Sequence, residues 1–263
     1  MFAVAATTPM GWAALTIAVL MVSTWIISVL VKNASIVDIV WGFGFVAVAW
    51  VVRLTVDGHA DRQNLLVAMA TIWGLRLSGY LFWRNHGKGE DYRYKSMRKH
   101  WGPRFWLISL GTVFAVQATI MFLVSLPVQL GQASADDSLG LLVPIGIAVW
   151  LVGLFFEAVG DAQLARFKKD PANAGTVMDK GLWRYTRHPN YFGDACVWWG
   201  IALVAADTPV GRWGIIGAVV MTVFLRRVSG VTLLEKSLVK RREGYVDYVA
   251  RTSPFVPRPP KQP

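Results

Sequence analysis

The sequence predicts an all-α, polytopic membrane protein of about seven transmembrane helices, and three observations carry that prediction. Of 263 residues, 54% are hydrophobic and only 16% charged, too apolar a balance for a soluble chain of this length. The mean hydropathy is +0.43. Several windows of about 20 residues, the length that crosses a hydrocarbon core of roughly 30 Å, are nearly free of charge.

The spans read in order as Met10–Val31, Ile36–Val56, Leu65–Trp83, Phe105–Leu126, Leu139–Leu164, Tyr191–Ala206 and Val210–Leu225. The sixth is short and the fifth long. Seven such spans leave no residues for a separate soluble domain, so residues 1–263 are expected to form a single membrane domain. Of the 27 lysines and arginines, only Arg53, Arg62 and Arg212 fall on one side and Arg76 inside a span. The positive-inside rule makes the other, crowded side cytoplasmic, with the N-terminus outside and the C-terminus inside. The formal charge of +11 is therefore one-sided. It fits topology and anionic lipid rather than nucleic acid, because the basic residues are scattered over loops beside spans. The first span is not expected to be a cleavable signal, since no basic residue precedes it. Cys196, the only cysteine, lies in a span, which excludes disulfides and cysteine metal sites. No metal centre and no obligate protein partner are expected.

Three segments on the basic side are too patterned to be connectors: 84–104, 165–190, and the tail from Glu235 to the Pro-rich end, which is expected to be extended. Ionisable groups inside the spans are functional candidates because a charge in the bilayer is costly. Asp38, Arg76, Glu157, Asp161 and Asp194, with Asn190 at a span end, all fall toward the cytoplasmic side. That agreement in depth predicts a shared polar cavity in the inner leaflet, with packing ion pairs such as Asp38–Arg76 as the plainer alternative. Glu157, Asp161 and Lys168 share one helix face, as do Asn190, Asp194 and Trp198.

The strongest motif is GLWRYTRHPNYFGD, Gly181–Asp194. Pro189 suits the first turn of span six, and His188 before it is pushed to an extended conformation. The start of that helix, with Arg184, Arg187 and His188 beside it, is an anion site suited to phosphate. The alternative is a basic collar touching lipid head groups.

The stretch RHPNYFGD at Arg187–Asp194 resembles a signature shared by membrane sterol reductases, the steroid 5α-reductase family and isoprenylcysteine carboxyl methyltransferases. Together with SIVDIVWGFGF (Ser35–Phe45), GEDYRY (Gly89–Tyr94) and LLEKSLVKRREGYVDYVARTSPFVP (Leu233–Pro257), it closely resembles the bacterial branch of the steroid 5α-reductase-like family over nearly the whole chain.

The resemblance implies an NADPH-dependent reductase in a bacterial cytoplasmic membrane, its active site facing the cytoplasm. It would act on the C=C bond of a conjugated ketone in a steroid or similar lipid. Carried over residue by residue, Asp161, Asn190, Asp194 and Arg76 match cofactor-holding positions. Glu157, Lys168, Arg184, Tyr185, Arg187, His188 and Tyr191 complete the expected cofactor set, so residues 139–263 carry most of that site. Asp38 matches the family's acid of the second helix. Trp73 stands where the vertebrate enzymes have a tyrosine, which leaves Tyr80, or Asp38 alone, as proton donor. Two alternatives stay open. One is a methyltransferase using S-adenosylmethionine, favoured by the tail's Glu before Tyr-x-x-Tyr, although that family tends to pair its glutamates and here Lys236 follows Glu235. The other is a lipid-binding or transport protein.

Overall fold

The structure, a computed structural model, describes residues 2–137, 139–228, 235, 238, 239 and 241–261, and among them it is helical with no strand. Among the described residues five helices are long and apolar enough to cross a membrane: Thr8–Leu30, Ile36–Thr55, Ala60–Asn85, Tyr92–Val124 and Leu142–Lys169. These correspond to the first five predicted spans. The sixth is an 18-residue helix, Pro189–Ala206. The seventh is divided into a 3₁₀ turn (Gly211–Gly214), a nine-residue helix (Ile215–Val223) and a π-helical turn (Phe224–Val228). The seven-span reading therefore narrows to five helices of sufficient length and hydropathy. Asp194 and Asn190 lower the apolarity of the sixth, and Arg212, Arg226 and Arg227 put three charges into the short helical run of the seventh.

The chain divides into two compact units, described separately: Met1–Val143 with Ile201–Gly217, and Pro144–Gly200 with Ala218–Pro263. In the first, α1 (Phe2–Leu30), α2 (Ile36–Thr55) and α3 (Ala60–Asn85) pack side by side. In the Trp41–Gly44 stretch Gly42 serves close approach, and what approaches is α3. A Cβ placed on Gly42 would lie 2.4 Å from the Gly74 carbonyl oxygen, and one on Gly74 would lie 2.5 Å from that of Gly42. Next come α4 (Tyr92–Trp101), α5 (Phe105–Ser109) and α6 (Val116–Val124), strung along one 33-residue helical run.

Two features of this unit differ from expectation. Residues after Leu126, which fall between the fourth and fifth predicted spans, fold into a short buried helix, α7 (Leu126–Gly131). The Gln129 amide donates to Ser125 Oγ there at 2.7 Å, and the Gln132 amide donates to the Ala49 carbonyl at 3.2 Å. Arg62, read as a loop cation, is fully buried, donating to the Asp136 carbonyl at 2.7 Å and facing Asp207 at 3.6 Å. A buried guanidinium persists only with such partners.

In the second unit α8 (Leu142–Lys169) and α9 (Pro189–Ala206) cross on small residues. A Cβ on Gly153 would meet the Gly193 carbonyl oxygen at 2.6 Å, and one on Gly193 would meet the Glu157 nitrogen at 2.6 Å. This contact places Glu157 and Asp161 of α8 opposite Asn190 and Asp194 of α9. Then come α10 (Ile215–Val223) and α11 (Tyr245–Arg251), the latter entered through Gly244 at φ 72°, a conformation glycine adopts without penalty. The Pro-rich end is non-helical, as expected. It straps the 185–187 backbone: Arg187 N–H donates to the Ser253 carbonyl and Arg258 N–H to that of Tyr185, both at 2.9 Å.

Candidate functional site

Two polar clusters hold most of the predicted residues, one in each unit. The first is built on the opening turn of α2. Asp38 is its third residue, one oxygen ion-paired with the Arg93 guanidinium at 2.6 Å, the other accepting the Tyr94 hydroxyl at 2.8 Å. Both partners come from α4, whose start is fixed by a local chain of bonds. The Asp91 carboxylate caps the helix through the Arg93 N–H at 2.9 Å. The Asp91 N–H donates to Ser35 Oγ at 2.6 Å, and the Ala34 N–H donates to Glu90 at 2.8 Å. Arg98 grips the same Glu90 through two nitrogens, at 2.8 and 3.0 Å. Burial pushes the Glu90 carboxyl up, but the bonds from Arg98 and Ala34 outweigh it and hold the group below its ordinary value.

The two motifs read separately as SIVDIVWGFGF and GEDYRY are thus one cluster. Its phenol, Tyr94, is 5% exposed. Sequence reasoning did not single out Tyr94; it named Tyr80 of the third span, or Asp38 alone, as candidate proton donor. The signal was present in the GEDYRY segment, where alternate residues Tyr92 and Tyr94 leave one ring able to turn inward. Trp73, at the position of the family's tyrosine, is fully buried and edge-on to Phe45, with centroids 5.5 Å apart. Tyr80 lies against Trp83, and Arg84 stands over its ring at 5.7 Å. Arg76, one helical turn before Tyr80, is half-buried. The ion-pair partner that the structure gives Asp38 is Arg93, where the depth argument had offered Arg76.

The second cluster surrounds the start of α9. Glu157, Asp161 and Asp194 are all buried, and the Asn190 amide reaches Asp161 at 3.3 Å. His188 is buried and stacks on Tyr191, rings 5.3 Å apart and 5° from parallel. Arg187 is buried too. Its Nε and Nη2 meet Glu235 at 2.7 and 3.1 Å, and Nη1 donates to the carbonyls of Val249, at 3.0 Å, and Thr252. The same Glu235 stands 3.0 Å from His188 Nε2. Glu235 is the residue sequence reasoning passed over, having weighed it only as a family marker. Burial would raise its carboxyl, but bonds from His188 and Arg187 hold it below its ordinary value. Burial, with the nearby Glu235 charge, pushes the Tyr245 phenol up.

Beside this cluster lies a cavity of about 140 Å³ lined by Phe167, Lys168, Trp183, Arg187, His188, Arg242, Tyr245 and Tyr248 among others. It is smaller than the roughly 300–1,000 Å³ of a whole small-molecule pocket, so it fits one moiety of a larger ligand. Lys168 is exposed, as are Arg184 and Tyr185. A cavity of about 360 Å³ at the α2–α3 turn, lined by Arg53, Asp57 and Gln63, holds none of the predicted site residues. Of the tail motif, Leu233, Leu234, Lys236, Ser237 and Lys240 lie outside the described residues. Among the described residues no group of three or more His, Cys, Asp or Glu is arranged to hold a metal.

A family model described as "Protein of unknown function (DUF1295)" matches residues 24–252. An uncharacterised protein of Schizosaccharomyces pombe is 25% identical over 210 residues, 69% of this chain and 60% of that protein. The steroid 5-alpha-reductase DET2 of Arabidopsis thaliana is 36% identical over 61 residues, 23% of each chain. The chain thus spans less than two thirds of the length of either relative. No solved structure matches it.

Proposed function

We infer the function from one premise: the chain belongs to the DUF1295 family, which is the steroid 5-alpha-reductase-like family. On that premise it is an NADPH-dependent membrane reductase of the C=C bond of a conjugated ketone in a steroid or steroid-like lipid. The observation that carries this reading is the Asp38–Tyr94 pair, a buried phenol held by a carboxylate on the second helix. A reductase of enones needs a hydrogen-bond donor at the carbonyl; a methyl transfer does not.

NADPH, when bound, supplies the hydride that reaches the β-carbon. The chain's own residues do the rest. Asp38, already ion-paired, is the positioning group, and Tyr94 is the donor whose hydroxyl turns to the carbonyl oxygen as charge develops there. The residues around α9 fit a nucleotide: a partly apolar cavity for a ring, with Lys168, Arg187, His188 and Arg242 on its wall for phosphate. Asp161, Asn190, Asp194 and Glu157, with Tyr185, Tyr191, Arg184 and Arg76, are proposed to complete the cofactor set. The basic loops face the cytoplasm in this reading, and reporter fusions after Trp83 and Leu164 that read external would overturn that orientation.

One observation favours a second reading. A carboxylate in the α9 cluster, Glu235, suits a cationic cofactor, as S-adenosylmethionine is. Thermal unfolding of the purified protein with each cofactor decides. NADPH should raise the midpoint and permit reduction of a 3-oxo-4-ene steroid. Stabilisation by S-adenosylmethionine alone would replace the reductase with a methyltransferase.

A further inference from the structure

We propose that Glu235 is an intramolecular placeholder for an anionic group of the cofactor, so that the nucleotide binds by exchanging with it; this rests on the reading above that the α9 cluster takes a phosphate-bearing nucleotide. The donors around the carboxylate are those a phosphate would use. Arg187 presents Nε and Nη2 as a fork to its two oxygens, and His188 adds Nε2 to one of them. Planar two-point pairing of this kind serves carboxylate and phosphate alike. The fork does not depend on Glu235 for its position. Its remaining amino group is tied to the Val249 and Thr252 carbonyls, and His188 is held by its stack on Tyr191.

Glu235 is also the outermost member of the cluster. Its side chain is 18% exposed, against 7% for Arg187 and 2% for His188. It can therefore leave without unpacking the donors. Exchange of one anion for another keeps Arg187 paired throughout, avoiding the cost of a buried, uncompensated charge. The cavity beside the fork is lined by Lys168, Arg242 and Tyr245 among mostly apolar surface, so a ligand whose charged end displaced Glu235 would have its next group in a largely apolar hollow. While Glu235 is in place, Arg187 has four of its five N–H donors committed, too few for a phosphate to bind beside it.

The test uses the full-length protein in detergent, with Glu235→Ala and Glu235→Gln beside wild type, titrated with inorganic phosphate and with NADPH while the thermal midpoint is followed. Phosphate should stabilise Glu235→Ala clearly and leave wild type almost unmoved. Glu235→Gln should bind NADPH about tenfold tighter or more, because the closed fraction no longer subtracts from the binding-competent population. Equal phosphate responses in wild type and Glu235→Ala would overturn the proposal. So would weaker NADPH binding by Glu235→Gln, which would make Glu235 a positioning group for the cofactor. If Glu235→Ala responds to phosphate while no form responds to NADPH, the nucleotide reading fails and the placeholder stands for another anion. Should Glu235→Ala not fold, the Gln variant alone still decides.

Discussion

Tyr94→Phe removes one oxygen atom from a ring that is otherwise enclosed, and the structure separates what that should do to stability from what it should do to chemistry. The lost bond, 2.8 Å from the hydroxyl to Asp38, is a hydrogen bond to a charged acceptor, worth about 1.5–3 kcal/mol in general. The lower end applies here, because Asp38 keeps its 2.6 Å ion pair with Arg93 and is not left bare. Phenylalanine fills the same space, so no cavity adds to the cost. The catalytic effect should be far larger. If Tyr94 donates to the substrate carbonyl, its removal forfeits general-acid assistance, typically 10²–10⁴-fold. The assay is single-turnover oxidation of bound NADPH by a 3-oxo-4-ene steroid, with NADPH affinity measured separately. The expected result is a fall in turnover of about that size with cofactor affinity unchanged. Turnover within about twofold of wild type would refute the role of Tyr94 and return attention to Tyr80.

The cluster at α9 should make stability depend on acid. Glu235 is held below its ordinary 4.5, since His188 and Arg187 together outweigh the effect of burial. A group whose folded value is depressed contributes fully above its unfolded value and loses that contribution as pH falls through the folded one. The thermal midpoint should therefore decline below pH 4.5 in wild type and less steeply in Glu235→Gln; parallel profiles would contradict this. The α2–α3 crossing should be intolerant of one methyl group. Gly42→Ala sets a Cβ 2.4 Å from the Gly74 carbonyl oxygen and 2.8 Å from Ser78 Oγ, and should cost about 1–3 kcal/mol, read as a lowered midpoint. Gly79→Ala, in open space on α3, is the control and should be neutral or slightly stabilising.

How much of this was legible follows from which signals are local. Apolar windows are local, and so five helices appear where the sequence places them. At the seventh window, Val210–Leu225, the helical run is short and carries Arg212 near its start and Arg226 and Arg227 at its end, so it does not stand among the five. The i, i+4 spacing of Glu157 with Asp161 and of Asn190 with Asp194 predicted shared faces, and the Gly153–Gly193 crossing brings those faces together. Partner choice was not legible. Arg93 pairs with Asp38 because α4 folds back onto the start of α2, a tertiary fact with no periodic trace. Arg187, read as part of an anion site at the start of the sixth span, is buried and paired with Glu235, which lies 48 residues further along the chain.

These misses share one physical origin. In each unit a polar segment returns to the first turn of an apolar helix and supplies there the charge that helix lacks. Glu90 accepts the Ala34 N–H ahead of α2, while Tyr94 and Arg93 close over Asp38. Glu235 closes over Arg187 and His188 ahead of α9. A span can carry an ionisable residue near its end only if some partner is brought to it, because the bilayer offers none. Loop segments are the available source of such partners. The functional side chains of this protein are therefore to be sought in pairs, one member on a span and one on the segment that returns to it. A reading confined to the spans finds the carboxylate of Asp38 and not the phenol of Tyr94 that pairs with it.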